Sequence, residues 1–111
     1  MLSVLRHAEP AAGEGRTVRF EGRSLGGPVS FFLVDAAPGH GSSRHMHPYT
    51  ETWVVRHGEA AFRVGEETTY AQAGDIVVAA AHIPHEFVNV GSGRLELVCI
   101  HPSDTIQQQP A

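Results

Sequence analysis

Hydrophobic and polar residues alternate along most of this chain with a period of two, in runs of five to eight residues. Successive side chains of a strand point to opposite faces, so such runs describe strands with one face buried. The pattern predicts strands over residues 16–22, 29–36, 51–58, 60–65, 68–72, 75–80, 86–90 and 95–101. Turn signals separate them, among them Gly26-Gly27-Pro28, Gly65-Glu66, Ala73-Gly74-Asp75 and Gly91-Ser92-Gly93. No segment keeps a 3.6-residue period for more than a turn or two, and short strands at this spacing predict an all-β sandwich or barrel. Residues 1–15 read as an N-terminal arm whose end, AEPAAGEG, is small and polar, residues 16–103 as the barrel, and residues 104–111 as a loose polar tail.

Composition narrows this picture only a little. A chain of 111 residues supports one core and one domain. The formal charge is −4 with histidine neutral, and protonating all eight histidines reverses its sign in mild acid. All eight cationic side chains are arginine, which excludes Schiff-base lysine chemistry, and they form no basic patch for nucleic acid. Cys99 is the only cysteine, so no intramolecular disulfide is expected; flanked by apolar residues, it reads as a small buried hydrophobe rather than a nucleophile. Arg6, His7 and Glu9 interrupt the apolar N-terminal segment, and no run approaches a membrane span. A cytoplasmic protein is the expectation.

Chemistry concentrates in GHGSSRHMHPYTETWVVRHG, residues 39–58. If residues 43–47 run as a strand, His45 and His47 share a face. Pro48 cannot donate a ladder hydrogen bond and breaks the strand, after which Glu51 opens the next apolar run and returns a carboxylate to the same centre. His85, behind Pro84, supplies a third imidazole. Three neutral imidazoles and one carboxylate leave a divalent ion at net charge +1, and an octahedral preference leaves two positions open. At roughly 5% usage per residue type, the spaced set Gly39, His45, His47, Glu51 and Gly58 arises by chance on the order of 10⁻⁷ per starting position. A metal site is therefore favoured over solvated loop histidines.

The same spacings resemble the first motif of the cupins: five residues from Gly39 to His45, one between the histidines, three before Glu51 and six before Gly58. Gly74, Asp75, His85 and Asn89 resemble the second motif, with Ala80 standing where the family usually has proline and His82 where it usually has glycine. Histidine is one of the residues that tolerates positive φ, so His82 is expected to keep the turn. The resemblance covers residues 16–103 and is closest to small single-barrel cupins. It implies a double-stranded β-helix (jelly-roll barrel) in which His45, His47, Glu51 and His85 bind a divalent transition metal, iron, manganese, nickel or zinc, while Asn89 does not.

Strand parity then assigns the cavity wall. If the strand stays regular to its end, Trp53, Val55 and His57 share the inward face with Glu51, and Phe87 and Asn89 that of His85, with Phe62 and one of Phe31 or Phe32 added. His7, His40 and His57 read as surface residues, His101 as free to face either way, and Arg44 as solvated. An open metal position can act as a Lewis acid, activate water or bind dioxygen. Glu51 is the candidate catalytic base if it loosens from the metal. The favoured function is a divalent-metal enzyme acting on a compact organic molecule, with quercetinase-like, ring-cleaving dioxygenation of a flavonol-like or other aromatic substrate slightly ahead. Polyketide cyclase, isomerase and decarboxylase activities on similar barrels remain open, as does a non-catalytic metal or small-ligand binding module. Exposed strand edges and the likeness to small cupins lead to the expectation of a homodimer.

Overall fold

The computed structural model describes residues 2–6, 8–10 and 15–111. Among the described residues ten strands form in chain order: β1 Val18–Phe20, β2 Ser30–Ala36, β3 His45–Met46, β4 Glu51–His57, β5 Glu59–Val64, β6 Glu67–Gln72, β7 Ile76–Ala79, β8 His85–Asn89, β9 Leu95–His101 and β10 Gln109–Pro110. They make two five-stranded sheets, ordered β1-β2-β9-β4-β7 and β10-β3-β8-β5-β6, and every pair is antiparallel. The expected jelly-roll barrel is thus realised as two facing sheets. One short helical turn, Gly22–Leu25, occupies the end of the segment predicted as the first strand.

The inward faces follow the alternation in the sequence. β4 reads buried, half-buried, buried through Glu51, Trp53 and Val55, and β9 buries Leu95, Leu97, Cys99 and His101. From the facing sheet β5 contributes Ala60 and Phe62, and β8 contributes His85, Phe87 and Asn89. Trp53 and Phe62 meet across the sandwich with ring centroids 5.0 Å apart. Burying one such aromatic contributes roughly 1.5–3 kcal/mol. This aromatic layer floors the polar end of the barrel.

Alternation fails at one predicted position. The pairing of β4 with β9 shifts register between Val55 and His57, so His57 is exposed, as its surface reading has it, where unbroken alternation would turn it inward beside Trp53. A bulge inserts an extra residue and reverses the side-chain parity beyond it. Gly58 follows at φ 86°, and a Cβ there would stand 2.4 Å from the Arg94 carbonyl oxygen. Gly41 is similarly confined, because a Cβ would meet the Phe87 carbonyl oxygen at 1.9 Å as residues 39–42 run beside β8.

The C-terminal segment also departs from expectation. Gln109 and Pro110 pair with Met46 and His45 as β10, which covers the edge of β3. Polar composition concealed this because the pairing uses backbone groups.

Gly58→Ala combines left-handed backbone with a clash against a strand carbonyl. It is expected to lower stability by about 1–3 kcal/mol, measured as a reduced midpoint in urea; an unchanged midpoint contradicts this account of the bulge.

Candidate metal centre

Each histidine of the predicted set is aimed by a carbonyl oxygen. His45 Nδ1 lies 2.7 Å from Ser43 O, His47 Nδ1 2.7 Å from Gln107 O, and His85 Nδ1 3.0 Å from Ile83 O. A carbonyl only accepts, so Nδ1 carries the proton in each ring and, in the neutral imidazole, Nε2 presents a lone pair. These second contacts fix ring orientation as well as tautomer.

Glu51 reaches the same point from β4. Its Oε1 is 2.8 Å from His47 Nε2 and 3.1 Å from His85 Nε2. His45 completes the group, with its ring centroid 4.9 Å from that of His47 and 4.6 Å from that of His85. One ligand atom from each of His45, His47, Glu51 and His85 lies within 4.8 Å of the others. His47, Glu51 and His85 are buried, and His45 is half-buried. His47 Nε2 makes no hydrogen bond despite its proximity to the carboxylate. Lone pairs thus face one another in a buried space, an arrangement that a cation resolves and that suits a borderline divalent ion bound by imidazole and carboxylate. The donor set fits the metal that the sequence predicts.

Burial shapes the ionisation of these groups. It pushes the His45 pKa below the ordinary 6.5, against an opposing hydrogen bond to Ser43. For Glu51 burial acts upward, but the His101, His47 and His85 rings around it outweigh burial and hold the carboxyl well below the carboxylate range. Cys99 sits against this carboxylate, and burial first, then the charge of Glu51, pushes its thiol well up. A protonated thiol is a poor nucleophile and a poor metal ligand.

His101 and Tyr49 belong to the same cluster. His101 is fully buried, its Nδ1 2.5 Å from Tyr49 Oη and its Nε2 3.5 Å from Glu51 Oε2. The Tyr49 ring stacks on His47 with planes 3° apart. Sequence reasoning left His101 undecided and did not single out Tyr49. The parity of Leu95, Leu97 and Cys99 carried the signal for His101, since these apolar positions set the inward face of β9. Gln107 gave no such signal, because it acts through its backbone.

The other histidines lie elsewhere. His82 is exposed at φ 64° and donates its N–H to His47 O at 2.8 Å, which is the turn role predicted for it. His40 is exposed at the cavity rim, and His7 lies outside the described residues. Arg44 points away from the centre, toward Glu86 at 3.5 Å. Asn89 spends its side chain on the turn after β8, donating to Ala36 O and Gly93 O and accepting from Gly91 N.

A cavity of about 660 Å³ opens from Glu51 and His45 toward solvent. Its wall includes Phe32, Val34, Trp53, Phe87 and Cys99, and Asp35 and Arg94 pair at 2.6 Å on its rim. Of the two candidate phenylalanines, Phe32 faces the cavity, while Phe31 packs outside against Phe20, with ring centroids 4.9 Å apart.

The family model for the cupin domain matches residues 32–101, the segment that carries every one of the four clustered side chains. The chain belongs to the cupin family. A Streptomyces coelicolor protein described as uncharacterized is 32% identical over 98 residues, which is 88% of this cupin and 90% of that protein. Among solved structures, a Bacillus subtilis oxalate decarboxylase studied for its Mn(II) centres superposes with a TM-score of 0.82 at 22% identity, over 92% of this cupin and 29% of that chain. A Lactobacillus farciminis oxalate decarboxylase in complex with formate gives 0.78 at 21% identity, over 90% and 32%. This cupin therefore spans about a third of the length of those decarboxylases, and the likeness shows the shared fold. No helix among the described residues is long and apolar enough to cross a membrane.

Both shifted groups bind fewer protons in the folded protein than in the unfolded chain as the pH falls. Metal-free stability is therefore expected to decline as pH drops below about 6.5 through His45, and again below about 4.5 through Glu51. Thermal midpoints measured from pH 8 to pH 4 check this; a flat profile contradicts the buried, neutral His45.

Proposed function

We propose that this cupin is a divalent-metal enzyme in which His45, His47, Glu51 and His85 are the ligands and a compact organic molecule occupies the adjoining cavity. The observation that carries the proposal is the convergence of three Nε2 lone pairs and one carboxylate oxygen on a single buried point that opens into that cavity. A bound divalent ion supplies Lewis acidity there and, when redox-active, a place for dioxygen.

The leading reaction is ring-cleaving dioxygenation of a flavonol-like or other aromatic substrate. Phe32, Trp53 and Phe87 offer flat apolar surface, which holds an arene and excludes water. The oxalate decarboxylases of the same fold act on a two-carbon dianion by their names, and so small a molecule would leave most of about 660 Å³ unfilled. In dioxygenation both oxygen atoms enter the substrate, which is itself the reductant, so no further electron donor is needed. Among the described residues Glu51 is the one carboxylate beside the ligand nitrogens, and it serves as base when it loosens. A binding module with the same ligands is the second reading, and turnover separates the two.

Protein purified without chelator is expected to hold about one metal ion per chain, and His85→Ala to lose most of it. Full retention of metal by His85→Ala sinks the four-ligand assignment. After loading with iron, manganese or nickel, oxygen uptake with aromatic enediols or flavonols is expected; a flat trace across that panel removes the oxygenase reading and leaves the binding module.

We also infer a homodimer. The outer face of the β1-β2-β9-β4-β7 sheet carries an apolar row, Val18, Leu33, Val98, Val54 and Ile76, aligned by strand register, and a second row beside it runs from Phe20 to Val78. Leu33, Ile76 and Val78 are each more than 40% exposed. Contiguous apolar surface of this kind marks an association face. Solution scattering is expected to give twice the chain mass, and a monomeric mass refutes the inference.

A further inference from the structure

The two oxygens of Glu51 meet chemically different neighbours. Oε1 faces His47 Nε2 at 2.8 Å and His85 Nε2 at 3.1 Å, both lone pairs in the tautomers fixed by Gln107 O and Ile83 O. Oε2 faces His101 Nε2 at 3.5 Å. What His101 presents there depends on the far side of its ring.

That far side is settled by Tyr49. The Tyr49 oxygen accepts the Gln107 N–H at 3.1 Å, which leaves its own O–H to donate, and His101 Nδ1 is 2.5 Å away. Nδ1 of His101 is therefore an acceptor, and a neutral imidazole must then carry its proton on Nε2. His101 has the opposite tautomer to His45, His47 and His85. Its Nε2–H is buried, makes no hydrogen bond among the described residues, and has Glu51 Oε2 beside it at 3.5 Å. An Nε2 that bears hydrogen has no lone pair to give, so His101 is not a fifth ligand.

We propose that His101, clamped by Tyr49, is a positioning residue that holds Glu51 through Oε2 and leaves Oε1 alone to the metal centre. This rests on the four-ligand reading above and deepens it. A carboxylate held in this way would offer a metal one oxygen, and Glu51 is restrained from swinging away. The aromatic stack of Tyr49 on His47 ties the clamp to a ligand ring, and the backbone of Gln107 serves both, accepting from His47 and donating to Tyr49.

The test is a Mn²⁺ titration of metal-free protein followed by electron paramagnetic resonance, for the wild type, His101→Phe, His101→Gln, Tyr49→Phe and His85→Ala. His101→Phe removes the N–H and is expected to weaken Mn²⁺ binding about 10- to 100-fold and to change the spectrum of the bound ion as both carboxylate oxygens become free. His101→Gln retains an N–H donor and is expected to recover most of the affinity. Tyr49→Phe keeps the stack, frees the His101 tautomer and is expected to shift affinity and spectrum in the same direction by a smaller factor. Wild-type affinity and spectrum in both His101→Phe and Tyr49→Phe overturn the proposal. Should His101→Phe fail to fold, Tyr49→Phe decides, since it loses one hydroxyl only. The wild type and His85→Ala test the metal centre itself: a wild type that takes up no Mn²⁺ overturns the four-ligand reading and this proposal with it. Binding by the wild type and loss in His85→Ala leave the four-ligand reading standing, whichever way His101→Phe turns out.

Discussion

Three imidazole nitrogens and a carboxylate oxygen point at one another in a buried space, and no proton donor stands among the three nitrogens in their carbonyl-fixed tautomers. Burying polar groups without partners costs free energy, and a cation at the centre would relieve that cost. The constraint spreads through the chain because the carbonyls that set the tautomers belong to Ser43, Ile83 and Gln107. A loop before β3, the turn before β8 and the C-terminal segment must all be in place for the three lone pairs to converge. That is why β10 matters: two residues of backbone pairing on β3 hold Gln107 against His47.

The barrel is layered along its strands to support this centre. On β4 Glu51 is followed inward by Trp53 and Val55, on β8 His85 is followed by Phe87, and on β9 His101 is preceded by Cys99 and Leu97. Each strand places a polar group at one end, an aromatic or sulfur-bearing side chain next, and an aliphatic or satisfied group beyond. Low polarity beneath the polar layer strengthens every charge interaction above it. The same layer keeps the Cys99 thiol protonated beside Glu51.

Much of this was legible in the sequence because it rests on parity and on backbone sterics. The two-residue period placed Trp53, Phe62 and Phe87 inward, and HMHPYTE with the later His85 named the side chains that converge. His82 could be assigned to a turn because few other residues tolerate its φ of 64°. Parity failed at His57, where a bulge with no sequence signature beyond the neighbouring Gly58 turned the side chain outward. The clamp on Glu51 was illegible for a different reason: Tyr49, His101 and Gln107 meet only after the sheets close, and Gln107 contributes main-chain atoms that any residue type would supply. Polar tails look alike in sequence whether they pair or not.

The central claim is that one ion is held by three imidazoles and one carboxylate, with the buried thiol excluded. X-ray absorption fine structure at the metal edge of protein purified without chelator reads that shell directly. The account predicts three imidazole nitrogens, light oxygen scatterers and no sulfur. A sulfur scatterer near ~2.3 Å, or fewer than three imidazoles, would contradict it.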